Sequence, residues 1–215
     1  TAEAIAGVQS EFQWPTLVNA STGKNRQERV IETVAVLNGA WVAGSAVQSS
    51  DSDVLDNVKR SNISLDAYSD LMDSMNSLGK DALTYSEIIL GLPGDTKDKH
   101  FDSLQYAVDS QVNRVHMYEA TLLTGTDMDS RETRDKFGLV TKFRLIPGGV
   151  GSYEFAGEQL DVAEIEEIIV GSDSMTFEEY LSCRKMNLLI ETFVNNGLCD
   201  EVFAAMRTMG LSVFE

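Results

Sequence analysis

The sequence predicts an α/β fold: a parallel sheet of about four strands, curled as a partial (β/α) barrel of the TIM type, with a mainly helical C-terminal extension. Three observations predict it. Over the first 123 residues, short β-rich runs alternate with amphipathic helical stretches, the pattern of βαβ units. Residues 86–92 (SEIILGL) are an almost continuous apolar run, as a buried parallel strand requires. After Leu122 the alternation stops and glycine and threonine take over.

Residues 16–21 (TLVNAS) read as the first strand. A helix follows at about 27–37, with Val30, Val34 and Leu37 on one face. Residues 41–49 (WVAGSAVQS) form the second strand. Asp51 caps a short helix carrying Val54, Leu55 and Val58. Ser64 caps a longer one, with Leu65, Tyr68, Leu71, Met72, Met75 and Leu78 as its stripe and Gly79 as its stop. The third strand leaves through Pro93, Gly94, Asp95 and Thr96 into a helix with Phe101, Leu104, Val108 and Val112 inward. Residues 114–121 (RVHMYEAT) are the fourth strand. Right-handed crossovers place these helices on one face of the sheet. Four strands do not close a barrel, and the run 17–21 is left as an apolar edge. A missing N-terminal barrel half or a second subunit is expected to cover it.

Residues 122–160 hold no long helical stripe, and IPGGVGSYEF reads as a loop or a loose hairpin. Residues 161–171 read as a short helix or strand. Thr176 and Glu179 form the T-x-x-E capping box of a helix reaching about residue 196, and a last helix occupies 200–210. This divides the chain into a partial barrel at 1–128 and an extension at 129–215, loop-rich and then helical.

The 215 residues carry a formal charge of -17, with 34 acids against 17 bases, and a phosphate backbone would be repelled. No nucleic-acid partner is expected. No apolar run approaches the roughly 20 residues of a membrane span, and the start shows no signal-type stretch. A cytoplasmic protein with no membrane partner is expected. Cys183 and Cys199 read as two thiols of a reducing compartment; they cannot supply the three thiolates of a 4Fe-4S cluster.

Four places carry chemistry. In SEIILGLPGDT, Gly91 and Gly94 permit positive φ or a close ligand approach at the end of a parallel strand, where ligands of such folds bind. Gln48 and Ser49 stand at the tip of the second strand, and an amide there can both donate to and accept from ribose hydroxyls. Arg60 ends the next short helix, within reach of the same rim to pair a carboxylate. Glu87 is an acid on the face of its strand shared with Ile89 and Gly91, and needs a cation there. NASTGKN fails as a phosphate loop because Val18 and Asn25 occupy essential positions, yet Asn19, Ser21 and Lys24 remain polar groups on the rim. His100 sits in the first turn of an amphipathic helix. His116 and Glu119 point to opposite faces of a strand, so neither histidine reads as a metal ligand or catalyst. No catalytic residue and no metal site is predicted.

SAVQSSDSDVLDNVKRSNIS followed by SEIILGLPGDT, with LVNASTGKNR before and MYEATLLTGTDM after, resembles the second half of radical-SAM enzymes. The closest pattern is the branch often fused to a cobalamin-binding domain. The resemblance spans roughly residues 14–128. It implies a full or partial (β/α) barrel in which a CxxxCxxC loop holds a 4Fe-4S cluster, S-adenosylmethionine (SAM) chelates its unique iron, and a 5′-deoxyadenosyl radical results. It also implies Gln48 near the SAM ribose, Arg60 toward its carboxylate and Glu87 as a polar or ionic partner of SAM. Asn19, Ser21 and Lys24 would line the preceding rim, and the turn from Gly91 to Gly94 would shape the adenosyl pocket. No CxxxCxxC occurs in these residues, and Asn19 stands where several members carry an acid. The expectation is a fragment of such an enzyme, inactive alone, whose intact parent uses SAM, a cluster and, with a further domain, cobalamin on a small-molecule substrate. The alternative is a non-catalytic α/β binding or assembly module that completes its sheet through a partner.

Overall fold

The computed structural model describes residues 1–20, 27–61, 64–77 and 84–215. Three parallel strands form the first sheet in the order β1 (Ala43–Gln48), β2 (Thr84–Leu90), β3 (Arg114–Glu119). Helix α1 (Ala2–Phe12) and helix α2 (Gln27–Leu37) precede it. Helices α3 (Ser52–Asn57) and α4 (Leu65–Ser77) lie between β1 and β2, and α5 (Lys97–Asp109) lies between β2 and β3. The chain is therefore α/β, with crossover helices between parallel strands.

Alternation on β2 sorts the two faces. Ser86 and Ile88 are buried, and Ile88 packs with Val115 of β3 against Tyr68, Met72, Leu104 and Val108 of the helices. Tyr85, Glu87 and Ile89 take the opposite face, beside Arg114, His116 and Tyr118 in register. Asp51 caps α3 by accepting from the backbone N–H of Val54, and Thr96 caps α5 by accepting from that of Lys99.

The expected first strand is reduced to one parallel bridge, Val18 to Trp41, with Val18 N–H donating to the Ala40 carbonyl at 2.7 Å. Pro15 has no N–H to donate, and Asn19 is a poor strand former. The indole N–H of Trp41 then holds the Ala20 carbonyl at 2.9 Å. Ser21, Lys24, Leu78 and Gly79 lie outside the described residues. The first sheet thus has three described strands where about four were expected.

The far edge of β3 is stopped by a side chain. The Asn195 amide accepts from the Val115 N–H and donates to the Val115 carbonyl, both at 2.8 Å, filling the places of a next strand. Asn195 ends a π-helical turn, Ile190–Asn195, that follows α7 (Phe177–Leu189); Arg114 pairs with Glu191 of the same turn at 3.2 Å.

The extension is not mainly helical. Residues 122–160, expected to be loop-rich, contain β4 (Thr121–Leu122), α6 (Arg131–Phe137) and β5 (Val140–Phe155), the last paired with β6 (Glu158–Gly171) in a long antiparallel hairpin. Its tip is a two-residue turn at Ala156 and Gly157, both at positive φ (52 and 81), the twist that matches a right-handed hairpin. Pro147, Gly148 and Gly149, in the stretch that read as a loop or a loose hairpin, sit in a bulge of that hairpin where pairing jumps from Leu145–Ile165 to Val150–Ala163. The hairpin root is built into the fold: Ala120 N–H donates to Leu90, Ile169 N–H donates to Ala120, and Ile168, Ile169 and Val170 are buried. Thr176 and Glu179 form the expected capping box of α7, and α8 (Asp200–Thr208) closes the chain.

Candidate functional site

A cleft of about 820 Å³ opens at the C-terminal ends of the three parallel strands, where ligands of parallel α/β folds bind. Gln48, Ile89, Tyr118 and Ala120 supply its sheet wall. Asn57 to Arg60 at the end of α3, with Leu92 and Pro93, form one side. The segment from Leu123 to Phe137 closes the other.

Gln48 is the first polar group of interest. It ends β1 at positive φ (62), is 5% exposed, and its Oε1 has no hydrogen-bond partner among the described residues. A buried acceptor left without a donor costs on the order of 1–3 kcal/mol, so a donor from a ligand or water is called for. Arg60 stands across the cleft. Its backbone N–H caps the Leu55 carbonyl at 2.9 Å, and its exposed side chain makes no ion pair among the described residues. The neighbouring Lys59 is committed to Asp127 at 2.6 Å, a pair bridging the two lips.

The turn after β2 is held from below by Asp95, which is 2% exposed. Its carboxyl accepts from the N–H of Gly91 at 3.2 Å and of Thr96 at 2.9 Å. Burial nevertheless pushes it up from 3.8 to about 7. Gly91 (φ 84) lies against the hairpin root, where an added Cβ would meet the Ile169 carbonyl at 3.3 Å. Gly94 (φ 83) lies against α3, where a Cβ would stand 2.5 Å from Asn57 Nδ2. Asn57 donates to the Pro93 carbonyl at 3.1 Å. Neither glycine lines the cleft; their close packing seats Leu92 and Pro93, which do.

Of the residues singled out in the sequence, Gln48 and Arg60 share this cleft. Ser49 is buried beneath it, accepting from the Asp51 N–H at 3.2 Å. Glu87 does not line it. It sits half-buried on the open face of the sheet, one step below Ile89 and level with His116, and forms no ion pair among the described residues. Asn19 is exposed in the segment next to Trp41, away from the cleft.

Two features escaped sequence reading. Glu119 at the end of β3 lines the cleft, but its carboxylate is taken by Arg144 at 3.1 Å and Arg184 at 2.5 Å, from β5 and α7. Arg144 also binds Glu166 at 2.7 Å. Glu119 therefore fastens the hairpin and α7 to the strand end. On the open face, the Tyr85 ring lies so close over Gly44 that a Cβ there would fall 1.9 Å from Tyr85 Cζ; His116 meets Tyr85 edge-on and stacks on Tyr118. The signal in the sequence for that close approach is Gly44.

The residues present do not fit an iron–sulfur cluster. Cys183 and Cys199 are both free, burial pushes the Cys183 thiol up to about 12, and no group of three or more metal-ligating side chains occurs among the described residues. One cleft is lined by Gln48, whose buried amide oxygen has no donor, and by Arg60, whose guanidinium has no ion pair, among the described residues. No helix among the described residues is long and apolar enough to cross a membrane.

No family model matches the chain. Two curated proteins do, each 26% identical over 200 residues: the cobalamin-dependent radical SAM methyltransferase TokK of Streptomyces tokunonensis, and 2-(S-pantetheinyl)-carbapenam-3-carboxylate methyltransferase of Streptantibioticus cattleyicolor. Each match covers 91% of this chain and 28% of the relative, so the chain spans little more than a quarter of their length. A solved structure of the radical S-adenosylmethionine methyltransferase TsrM from Kitasatospora setae, with tryptophan substrate and the SAM analog aza-SAM bound, aligns with a TM-score of 0.48 at 15% identity. That alignment covers 73% of this chain and 30% of the TsrM chain. In its ordered motifs and over 200 residues of sequence, the chain resembles radical SAM enzymes at low identity, one of the two relatives being a cobalamin-dependent radical SAM methyltransferase.

Proposed function

We propose that this chain forms one wall of the SAM site in a radical-SAM enzyme, the three parallel strands being part of a (β/α) barrel. The observation that carries the reading is the cleft at the strand ends, which Gln48 and Arg60 both line, the buried amide oxygen of the one having no donor and the guanidinium of the other no acid among the described residues. A ribose hydroxyl would satisfy Gln48 Oε1, and an amino-acid carboxylate would satisfy the Arg60 guanidinium. The turn from Gly91 to Gly94 fixes the wall against which the adenosyl moiety would rest. Glu87, below the cleft, is available to an ammonium reaching further down the open face.

When bound, SAM supplies the radical-generating chemistry of this family; the cluster that family chemistry needs would be held by residues outside these 215. The chain by itself is then inactive. Further barrel strands, from the same chain or a second subunit, would join on the β1 side, because Asn195 occupies the far edge of β3. A cobalamin partner for the whole enzyme is proposed from the family resemblance and the name of one relative, TokK.

Calorimetric titration with S-adenosylhomocysteine tests the site. The wild-type chain should bind. Arg60→Ala and Gln48→Leu should each weaken binding by about tenfold, equivalent to about 1.4 kcal/mol for a lost hydrogen bond to a charged or buried group. Affinity unchanged by both substitutions, or no binding at all, would remove the reading. Reduced anaerobically with SAM, the chain alone should release no 5′-deoxyadenosine.

A further inference from the structure

The outer half of the β5–β6 hairpin, beyond the bulge, is left without a partner among the described residues. In the order β4-β6-β5 the outer edge of β5 has no neighbour, and β4 reaches β6 only at Glu167 and Ile168. The contrast with β3 is physical. There Asn195 fills the edge, whereas from Val150 to Phe155 the β5 edge carries no lysine, no proline and no covering helix, the usual guards of an open strand.

The two faces of this outer half differ. Cross-strand pairs Tyr153–Leu160 and Gly151–Val162 put apolar groups on one face, with Phe155 beside them; Tyr153 is 59% exposed and Phe155 72%. Pairs Glu154–Gln159 and Ser152–Asp161 make most of the other face polar and acidic, with Val150–Ala163 at its inner end, while Glu158 stands opposite Phe155 on the apolar face. No lysine or arginine occurs between Arg144 and Arg184. Arg144 at the root is already engaged by Glu119 and Glu166. Glu154, Glu158 and Glu164 have no cation partner among the described residues.

We propose that this hairpin end is a docking strand for a protein segment that is extended, alternates apolar with lysine or arginine side chains, and adds to the free edge of β5. Backbone hydrogen bonds supply the pairing, Tyr153 and Phe155 take the apolar side chains, and Glu154 with Asp161 on the opposite face takes the cations. A second copy of this chain is the wrong occupant, because it would set acid against acid on a protein of charge -17. The acids thus guard the edge against self-pairing while leaving it open to a basic partner. The surface is separate from the cleft and does not depend on SAM binding.

The test uses the 215-residue chain and three synthetic peptides of about ten residues. One alternates Val and Tyr with Lys, one carries Glu in place of Lys, and one is the Lys peptide N-methylated on alternate residues. The Lys peptide should protect backbone amides 150–155 from hydrogen exchange and bind about tenfold more tightly than the Glu peptide. N-methylation should abolish protection. Glu154→Lys with Glu158→Lys and Asp161→Lys should reverse the preference, and these sites lie outside the buried cores, so the fold is kept. Equal binding of the Lys and Glu peptides, binding that survives N-methylation, protection confined to other residues, or no binding of any peptide would each overturn the proposal. The peptide series on the unaltered chain decides it without the variants.

Discussion

Asp95→Asn should make the stability of this chain less sensitive to pH, by an amount that follows from the position of that carboxyl. Asp95 is 2% exposed, and burial holds its proton on up to about pH 7, against the ordinary 3.8. Between those values the native state binds more protons than the unfolded chain, so stability falls as pH rises. The contribution is fully present below about pH 3.8 and is lost by about pH 7. At about 1.4 kcal/mol per pH unit, the interval amounts to on the order of 4 kcal/mol. An asparagine is neutral throughout. It also loses one acceptor for the N–H groups of Gly91 and Thr96, a fixed offset of about 1 kcal/mol that does not vary with pH. His100 runs the other way. Burial lowers it to about 4, so the unfolded chain takes up that proton first and stability rises with pH between about 4 and 6.5. The curve of either protein alone mixes the two groups, but the difference between them isolates Asp95. Urea unfolding of both proteins at half-unit steps from about pH 4 to 8 measures it. The variant should gain about 4 kcal/mol relative to the wild type across that range, and a flat difference would refute the assignment.

Two further outcomes follow from packing and from the sheet edge. Gly44→Ala should destabilise the chain by about 1–3 kcal/mol, because its Cβ would fall 1.9 Å from the Tyr85 ring; thermal melting should show the loss relieved in the double variant with Tyr85→Ala and unrelieved with Tyr85→Phe. Asn195→Ala strips both hydrogen bonds from Val115 and should cost about 1–3 kcal/mol, with light scattering reporting association through the uncovered β3 edge.

Much of the first sheet was legible because its signals are local. Asp51 and Thr176 with Glu179 announced helix starts through short-range bonds that the structure contains, and of Asp95 and Thr96, either of which suits the start of α5, the structure uses Thr96. The continuous apolar run of β2 fixed a strand without reference to its neighbours. The hairpin was legible only as one of two readings of IPGGVGSYEF, for a physical reason. Pro147, Gly148 and Gly149 are absorbed in a bulge, and its outer half has no buried face to impose a clean alternation. Its turn is Ala-Gly, without the asparagine or aspartate that usually marks the tip. The site was half legible. Gln48 and Arg60 line one cleft because Gln48 ends β1 and Arg60 follows the short helix α3 that comes next, a spacing sequence can express. The seating of Glu119 between Arg144 and Arg184 joins three distant segments, and nothing local to any of them announces it.

The bulge assigns unequal roles to the two strands that meet there. β5 spends residues 146–149 opposite the single residue Glu164, while β6 runs on unbroken. β6 is therefore the ruler of the arm and β5 the slack. A residue inserted at 146–149 would enlarge a kink and leave every cross-strand partner in place. One inserted beside Glu164 would rotate the whole outer arm by half a turn, exchanging its oily side for its acidic side while the root stayed seated. That position is where a length change could redirect what the arm greets without rebuilding the body that carries it.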